Sequence, residues 1–338
     1  MGFYYKKRKN NLMNITKIAQ LCGVSKTTVS RFLNNGYVSK ENKEKIQKVI
    51  DETGYVPSSY AKQLRTKKTN LIGVIVPKIS SETISRIVDG ISSQVNKFGY
   101  NILLGNTDLN IEKEIEYLNI FKNNQVDGII IVATEFTKKH LEIMKNIKIP
   151  IVVVGQNIEN YSCIYHDDYN VVKFLVSKLK EKNRKNIAYI GVYKNDKAVG
   201  YEREKGFIDG LLENDLNVDY DLIKAGDFSS ESGYKKCREI FNLNKEIDSI
   251  ICATDNIAMG AINFLKEINL KVPKDISILS IGDSKYSKII SPKLSTIHYY
   301  YKTSGIKAGE IIIDKINNKN DKTIKIKLGF EYIKRESI

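Results

Sequence analysis

Residues 14–60 read NITKIAQLCGVSKTTVSRFLNNGYVSKENKEKIQKVIDETGYVPSSY, and their pattern decides the fold of the N-terminal region. The side chain of Asn14 can cap a first helix, and Ile18 and Cys22 lie one turn apart on the inner face of that helix. Gly23 permits a tight turn directly afterwards, because glycine accepts a left-handed backbone without strain. The stretch therefore predicts a short helix, a tight turn and a second helix.

The second helix is expected to start after Ser25 as its cap and to bury Val29, Phe32 and Leu33, which recur at spacings of three and four. Its outward face then carries long and hydroxyl-bearing side chains, which suit base edges and phosphates in a DNA major groove. The residues expected to contact bases are Lys26, Thr27 and Arg31. Those expected to contact phosphates are Ser25, Thr28, Ser30 and Asn34. The alternative is the solvated face of an ordinary helical hairpin.

A third helix is indicated by Ser39 as its cap and Gly54 as its terminator. A Gly-Tyr-Val-Pro turn follows, and residues 58–65 can form about two turns of helix, which is marginal alone in water. We expect this segment to order as a hinge helix in the DNA minor groove and to wedge a side chain between base steps. The hinge residues are Ser58, Ala61 and Leu64. The alternative is a plain linker with one buried leucine.

Several segments resemble the lactose-repressor (LacI/GalR) family of bacterial transcription regulators: VSKTTVSRFLN, the GYVP turn and AKQLR. Further segments follow in that family's order and approximate spacing: LIGVIVP, VDGIIIV, REKGF, GDFSSESGY, ATDNIAMGA, VPKDISILSIGD and SPKLSTIH. The resemblance implies a homodimeric repressor that binds operator DNA, with a periplasmic-binding-protein-like core that senses a sugar, sugar phosphate or purine. The segment GYVSKENKEKI is most similar to repressors of sucrose or related disaccharide utilisation.

Positive charge is concentrated at the N-terminal end. Residues 1–69 carry 15 Lys and Arg against four Asp and Glu, a net charge of +11 out of +15 for the chain. Because phosphate neutralisation releases counterions, DNA binding should weaken with salt, with a log–log slope of about −0.9 per phosphate contacted. Residues 1–12 precede the motif, so we expect either a true start at Met13 or a basic arm on DNA phosphates. The cations of that arm would be Lys6, Lys7, Arg8 and Lys9.

Composition predicts a cytoplasmic protein. No apolar run approaches the ~18 residues of a membrane span, and the start MGFYYKKRKNN lacks the apolar stretch of a secretion signal. The cysteines are widely spaced and form no CxxC pair, which is typical of buried thiols in a reducing compartment. They are Cys22, Cys163, Cys237 and Cys252.

From Asn70 the pattern changes to alternating strands and helices. The sequence thus predicts an all-α helix-turn-helix headpiece followed by an α/β periplasmic-binding-protein-like core of two doubly wound lobes, with a ligand cleft between them. Strands are expected at 71–76, 101–104, 126–132, 149–154, 187–192, 222–225, 249–253 and 276–281, and helices at 84–98 and 112–122. The expected domains are an extension at 1–12, the headpiece at 13–57, hinge and linker at 58–69, and the core at 70–338. Lobe one should comprise 70–163 and 293–320, and lobe two 164–292 and 321–338.

The resemblance also implies effector-binding residues in the cleft. Arg203 matches the family's effector-binding arginine, which can donate a fork of hydrogen bonds to sugar oxygens or a phosphate. Phe228 stands where the family places a ring against the ligand, and Asp283 matches an aspartate that accepts from ligand hydroxyls. The remaining effector-binding assignments are Thr254, Asp255 and Asp167. Each residue taken singly can instead cap a helix or pair locally.

An enzyme is not expected. The sequence has no GxSxG, HExxH or GxGxxG, its three histidines are far apart, and no cofactor or metal is implied. The alternatives are a free-standing sugar-binding protein and a nucleotide-binding enzyme, neither of which explains the headpiece. The strand-like stretch 324–333 is not followed by a leucine heptad, so we expect a dimer rather than a tetramer, with residues 84–95 as the dimer contact.

Overall fold

The computed structural model describes residues 13–55, 68–123, 126–132, 134–318 and 321–338. The chain divides into a headpiece unit up to Thr69 and a core unit from Asn70. The expected extension 1–12 and the hinge residues Ser58, Ala61 and Leu64 lie outside the described residues. Among the residues that are described, every helix is too short or too polar to span a lipid bilayer.

The headpiece is built from short helices that the sequence marks at both ends. They are α1 (Ile15–Cys22), α2 (Lys26–Leu33) and α3 (Lys40–Thr53). Asn14 accepts a hydrogen bond from the Lys17 N–H at 3.0 Å and so caps α1, while Gly23 ends it with φ +65°. Fully buried Ile18, Val29 and Ile46 bring the three helices onto one small core. The predicted helix-turn-helix is confirmed.

The core alternates strands and helices along the chain. Its strands are β1 (Leu71–Val76), β2 (Asn101–Asn106), β3 (Gly128–Val132), β4 (Ile151–Val154), β5 (Ser162–His166), β6 (Ile187–Val192), β7 (Ile223–Gly226), β8 (Ser249–Cys252), β9 (Ser277–Ile281), β10 (Ser295–Tyr299), β11 (Lys325–Leu328) and β12 (Phe330–Ile333). Its helices are α4 (Glu82–Val95), α5 (Ile111–Asn123), α6 (Lys138–Lys145), α7 (Asp168–Lys180), α8 (Arg203–Glu213), α9 (Ser230–Phe241), α10 (Asp255–Glu267) and α11 (Tyr301–Asn318).

The strands form two sheets, one for each lobe. The first sheet has the order β11-β5-β4-β3-β1-β2 and is parallel throughout. The second has the order β12-β10-β9-β8-β6-β7, and only its edge strand β12 is antiparallel, to β10. Alternate residues of β1 face opposite sides of the first sheet: Ile72 and Val74 join one apolar cluster and Ile75 joins another. The predicted core of two doubly wound lobes is confirmed.

The chain passes between the lobes at points that differ from the expected boundaries. Crossings lie after His166, after Tyr299 and at Gly329. The expected assignment of 293–320 to lobe one is wrong for β10, which pairs with β9 of the second sheet. The assignment of 321–338 to lobe two is wrong for β11, which pairs with β5. The apolar stretch from 324 to 333 resembles one strand, but Gly329 divides it between the sheets.

Candidate nucleic-acid interface and ligand cleft

Helix α2 presents the side chains expected to contact bases. Its N-terminus is fixed by Ser25, whose hydroxyl accepts the Thr28 N–H at 3.0 Å. Because Val29 is buried in the headpiece core, the opposite face turns outward, and Lys26, Thr27 and Arg31 are all exposed. A capped, rigid helix with exposed cationic and hydroxyl side chains can enter a major groove.

The residues expected to contact phosphates lie at the two ends of α2 and also stabilise the helix itself. The hydroxyls of Ser25 and Thr28 are 2.9 Å apart. At the other end, the Asn34 amide donates to the carbonyl of Ser30 at 2.5 Å. Beyond that end lies Tyr37, which is 90% exposed and was not among the expected contact residues.

An ion pair between Asp168, at the start of α7, and Arg203, at the start of α8, lies close to Tyr299, after which the chain crosses between the lobes. Both Nε and Nη2 of Arg203 lie 2.7 Å from the same Asp168 carboxylate oxygen, and Nη1 donates to the Ala253 carbonyl. The two side chains are almost completely buried. Arg203 was expected in the cleft, whereas Asp168 as its partner was not.

Asp167, the expected effector ligand next to Asp168, lies at the N-cap position of α7. It caps α7 by accepting the Asn170 N–H, and its other oxygen lies 2.8 Å from Lys327 Nζ. The pKa of Asp167 is lowered: its partial burial raises it, but the hydrogen bonds from Lys327 and Asn170 outweigh that effect. Since the capping position and the buried position are adjacent in sequence, the sequence alone did not distinguish the two aspartates.

Asp255 and Thr254 hold the carboxyl end of the second sheet together. The Asp255 carboxylate accepts from the Ser280 hydroxyl at 2.5 Å, the Thr296 hydroxyl at 2.7 Å and the Ser284 N–H at 2.6 Å. Thr254 caps α10, because its hydroxyl oxygen accepts a hydrogen bond from the Ile257 N–H. For both residues, the sequence left helix capping or local pairing as the alternative to effector binding, and these contacts are of that local kind.

Asp283 and Phe228 are likewise engaged within the second lobe. Asp283 follows β9 with φ +46°, pairs with Arg335, and lies 3.0 Å from Nδ1 of His298. Although burial raises the pKa of Asp283, Arg335 and His298 lower it below its ordinary value. Phe228 is partly buried against the second-lobe core. The structure thus gives the expected effector residues intramolecular partners.

Two side chains of α4, a helix of the first lobe, form hydrogen bonds to backbone groups of the second lobe. Arg86, one turn after its ion-pair partner Glu82, donates to the backbone carbonyls of Gly282 and Asp283, at 3.4 and 2.9 Å. The Glu82 carboxylate in turn accepts the Lys285 N–H at 3.1 Å. We call these contacts the Arg86 latch. The residues that form it are nearly 200 positions apart in sequence, which is why no sequence motif predicted them.

Aromatic rings pack where the chain crosses between lobes. His166 stacks on Tyr299 with ring centroids 4.2 Å apart and meets the edge of Tyr301 at 5.3 Å. Burial, Arg203 and His298 lower the pKa of His166 to about 3, so its imidazole is neutral. Asp196, which begins the turn leading to Arg203, is also buried, and burial raises its pKa to about 6.

Comparison with known proteins decides the family. Residues 69–336 match the model for periplasmic binding proteins and sugar binding domain of LacI family, and residues 14–58 match that for bacterial regulatory proteins, lacI family. The chain belongs to the LacI family. The sucrose operon repressor of Staphylococcus xylosus is 34% identical to this LacI-family chain over 306 residues, which are 90% of the chain and 93% of that repressor.

Other relatives agree. The HTH-type transcriptional regulator RegA of Clostridium saccharobutylicum is 33% identical over 335 residues, 96% of this chain and 98% of its own. The lac repressor dimer bound to operator and the anti-inducer ONPF has the same fold, with a TM-score of 0.87 at 22% identity over 96% of this chain and 98% of its own. This LacI-family member is a DNA-binding transcriptional regulator and not an enzyme. The predicted family and function class are confirmed.

Proposed function

We propose that this LacI-family regulator is a homodimer that represses a carbohydrate-utilisation operon and is controlled by a small sugar or sugar phosphate bound between its lobes. A repressor of this kind works in the cytoplasm, where the chromosome is. The observation that carries the proposal is the pairing of an exposed, capped α2 with a two-lobed core whose buried Asp168 and Arg203 lie beside the lobe crossings. The sucrose operon repressor among its relatives supports a carbohydrate operon.

On the DNA side, α2 enters the major groove. Lys26, Thr27 and Arg31 contact base edges, because they are exposed on one helix face. Ser25, Thr28, Ser30 and Asn34 contact phosphates from the ends of that helix, aided by the positive end of the helix dipole. A dimer places two such helices on a pseudo-palindromic operator.

The dimer contact involves α4 and the neighbouring edge strand β2. A groove there is lined by apolar side chains from both elements, and Ile79 at its rim is 53% exposed. The apolar part of the lining comes from Ile79, Ile84, Val88, Ile102 and Leu104, and the polar part from Ser85, Asp89 and Ser92. Exposed apolar surface of this kind is typical of protein interfaces. The Arg86 latch lies on the same helix, so closure of the lobes and the dimer contact share α4.

On the ligand side, the sugar binds between the lobes next to Arg203. Phe228, Asp283, Thr254, Asp255 and Asp167 supply the surrounding wall, either by direct contact or by holding the loops at the carboxyl ends of the strands. Ligand binding changes the angle between the lobes and is coupled to operator binding by about 1–3 kcal/mol, the range typical of linked sites.

Operator titration tests the proposal. The full-length protein is footprinted on DNA from upstream of its own gene, and then titrated with sucrose, cellobiose, maltose, ribose and glucose 6-phosphate. We expect a protected pseudo-palindrome and a change of operator affinity of about 5- to 150-fold with one of these ligands. Binding to random duplex with equal affinity at moderate salt would contradict the operator function.

A further inference from the structure

His166 has a buried polar atom without a partner inside the protein. Its Nε2 belongs to the few buried side-chain nitrogen and oxygen atoms of the described residues that make no hydrogen bond, and the side chain as a whole is 9% exposed. Native proteins pair the great majority of such atoms, because an unpaired one is unfavourable. This nitrogen therefore has hydrogen-bonding capacity that the described residues do not use.

The position of His166 indicates where that partner comes from. His166 is the last residue of β5, at the carboxyl edge of a parallel sheet, where open α/β folds bind their ligands. Its ring is held by the stack on Tyr299 and by the edge of Tyr301, at two of the lobe crossings. Arg203 is close enough to affect the electrostatics of the ring. The nitrogen is thus at the lobe junction, beside the ion pair of the cleft.

The chemical state of the ring suits a hydroxyl group. Burial and the nearby Arg203 keep the imidazole neutral, since they lower its pKa to about 3. A neutral imidazole presents Nε2 as either a donor or an acceptor, depending on the tautomer. A hydroxyl group complements both tautomers, because it both donates and accepts.

The charges around the cleft disfavour a phosphate. Arg203 is the buried guanidinium there, and it already faces Asp168 at 2.7 Å. Asp196 and Asp255 add further buried carboxylates to the same cluster. A phosphate placed here would meet more negative than positive buried charge, and like charges at close range repel strongly where water is excluded.

We propose that Nε2 of His166 hydrogen-bonds a hydroxyl group of an uncharged sugar, and that His166 is a specificity-determining residue of this regulator. The inference rests on the proposed sugar-controlled function. It narrows the ligand class from sugars and sugar phosphates to uncharged sugars.

The test removes the nitrogen and keeps the ring. His166→Phe preserves a flat ring against Tyr299 but has no ring nitrogen. His166→Gln removes the ring that stacks on Tyr299 but retains hydrogen-bonding atoms at a similar reach. Full-length wild type and both variants are titrated by calorimetry with the sugar that releases the wild type from operator, chosen from sucrose, cellobiose, maltose and ribose. Glucose 6-phosphate is titrated alongside.

We expect His166→Phe to bind the neutral sugar about 10- to 100-fold more weakly, and His166→Gln to recover part of that loss. Operator affinity without sugar and the melting temperature should stay near wild type in His166→Phe, which a purely structural role would not allow. Sugar binding by His166→Phe within twofold of wild type would overturn the inference and leave the proposed function intact. Binding of glucose 6-phosphate alone would overturn only the uncharged ligand class. A wild type that responds to none of the sugars would overturn the sugar-controlled function and this inference with it.

Discussion

Asp168 and Arg203 meet at 2.7 Å inside the second lobe, and the pair joins the first turns of two neighbouring helices, α7 and α8. Tyr299 extends the arrangement, with its hydroxyl 3.4 Å from the same carboxylate oxygen. Because both charges are almost completely buried, the pair holds its geometry only while both members are present.

Replacing one member of this pair should therefore be costly. Arg203→Met leaves the Asp168 carboxylate buried without its cation, and we expect a loss of about 3–5 kcal/mol in the free energy of unfolding. The double change Arg203→Met with Asp168→Asn should recover much of that loss. Urea denaturation of the two variants measures it. Equal instability of the single and double variants would show that the pairing itself does not matter for stability.

Arg31 should carry base specificity. Arg31→Ala should reduce operator affinity by about 1–3 kcal/mol and relax the preference at one base position. Lys48→Ala is a matched control, since Lys48 is exposed on α3 and its removal lowers the net charge equally. Binding to an operator library measures both effects. If the two variants lost the same affinity with unchanged base preference, the role of α2 as the reading helix would be wrong.

Phe228 should contribute to sugar binding beyond its packing. Phe228→Ala removes a ring that is partly buried against the second-lobe core, so a moderate loss of stability is expected together with weaker sugar binding. Phe241→Ala removes another partly buried ring from the same core. Calorimetry should find weaker sugar binding only in Phe228→Ala. Operator affinity without sugar should be unchanged in both variants.

The Arg86 latch should favour the closed arrangement of the lobes. Arg86→Ala removes the donors to the Gly282 and Asp283 carbonyls, so the lobes should separate more readily. We expect about a fivefold change in sugar affinity, equivalent to about 1 kcal/mol, and a larger radius of gyration by X-ray scattering. Lys307→Ala, which removes only a surface ion pair with Glu310 on α11, is the control. Unchanged scattering and affinity in Arg86→Ala would mean that these hydrogen bonds do not set the lobe angle.

Stability should depend on pH through Glu114. Burial, and secondarily the charge of Glu135, raise the pKa of this α5 carboxyl from 4.5 to about 7, and its Oε1 lies 3.8 Å from Nε2 of His140. The folded protein therefore keeps a proton that the unfolded chain releases. The free energy of unfolding should fall between about pH 4.5 and pH 7, by about 3 kcal/mol at most, and this contribution should be constant above pH 7.

Glu114→Gln isolates this effect. The variant should lack that slope and be more stable than wild type at pH 8, whereas Glu116→Gln, which alters an exposed carboxyl on the same helix, should retain it. Urea denaturation at pH 5 and pH 8 measures both. A slope that persists in Glu114→Gln would assign the pH dependence to another group.

Some of the fold could be predicted because its signals are local. The continuous apolar runs at β1 and β6 correctly predicted where both strands begin and end, because both strands are buried on both faces. Strands β5 and β10 were not predicted, because polar residues such as Ser162 and His298 interrupt their apolar pattern. Sheet membership depends on pairing across the chain, which one-dimensional periodicity does not contain.

The residues of the candidate site also differ in whether a local sequence motif marks them. Arg203 could be found because its motif resembles that of the family. Asp168, Arg86 and His166 acquire their roles only from neighbours that are distant in sequence: Asp168 is 35 positions from its partner, and Arg86 nearly 200 from its acceptors. Residues that act through long-range contacts are therefore the ones that sequence reasoning missed.

The assignment of β11 and β12 to different lobes has a consequence for biosynthesis. Neither sheet has all its strands until residues 325–333 have left the ribosome, because one edge strand of each comes from this stretch. The headpiece, encoded first, depends on none of these residues for its own core. A nascent chain thus acquires its DNA-reading module well before its sensor is finished, because the strands that complete both sheets are translated after the other strands of the core.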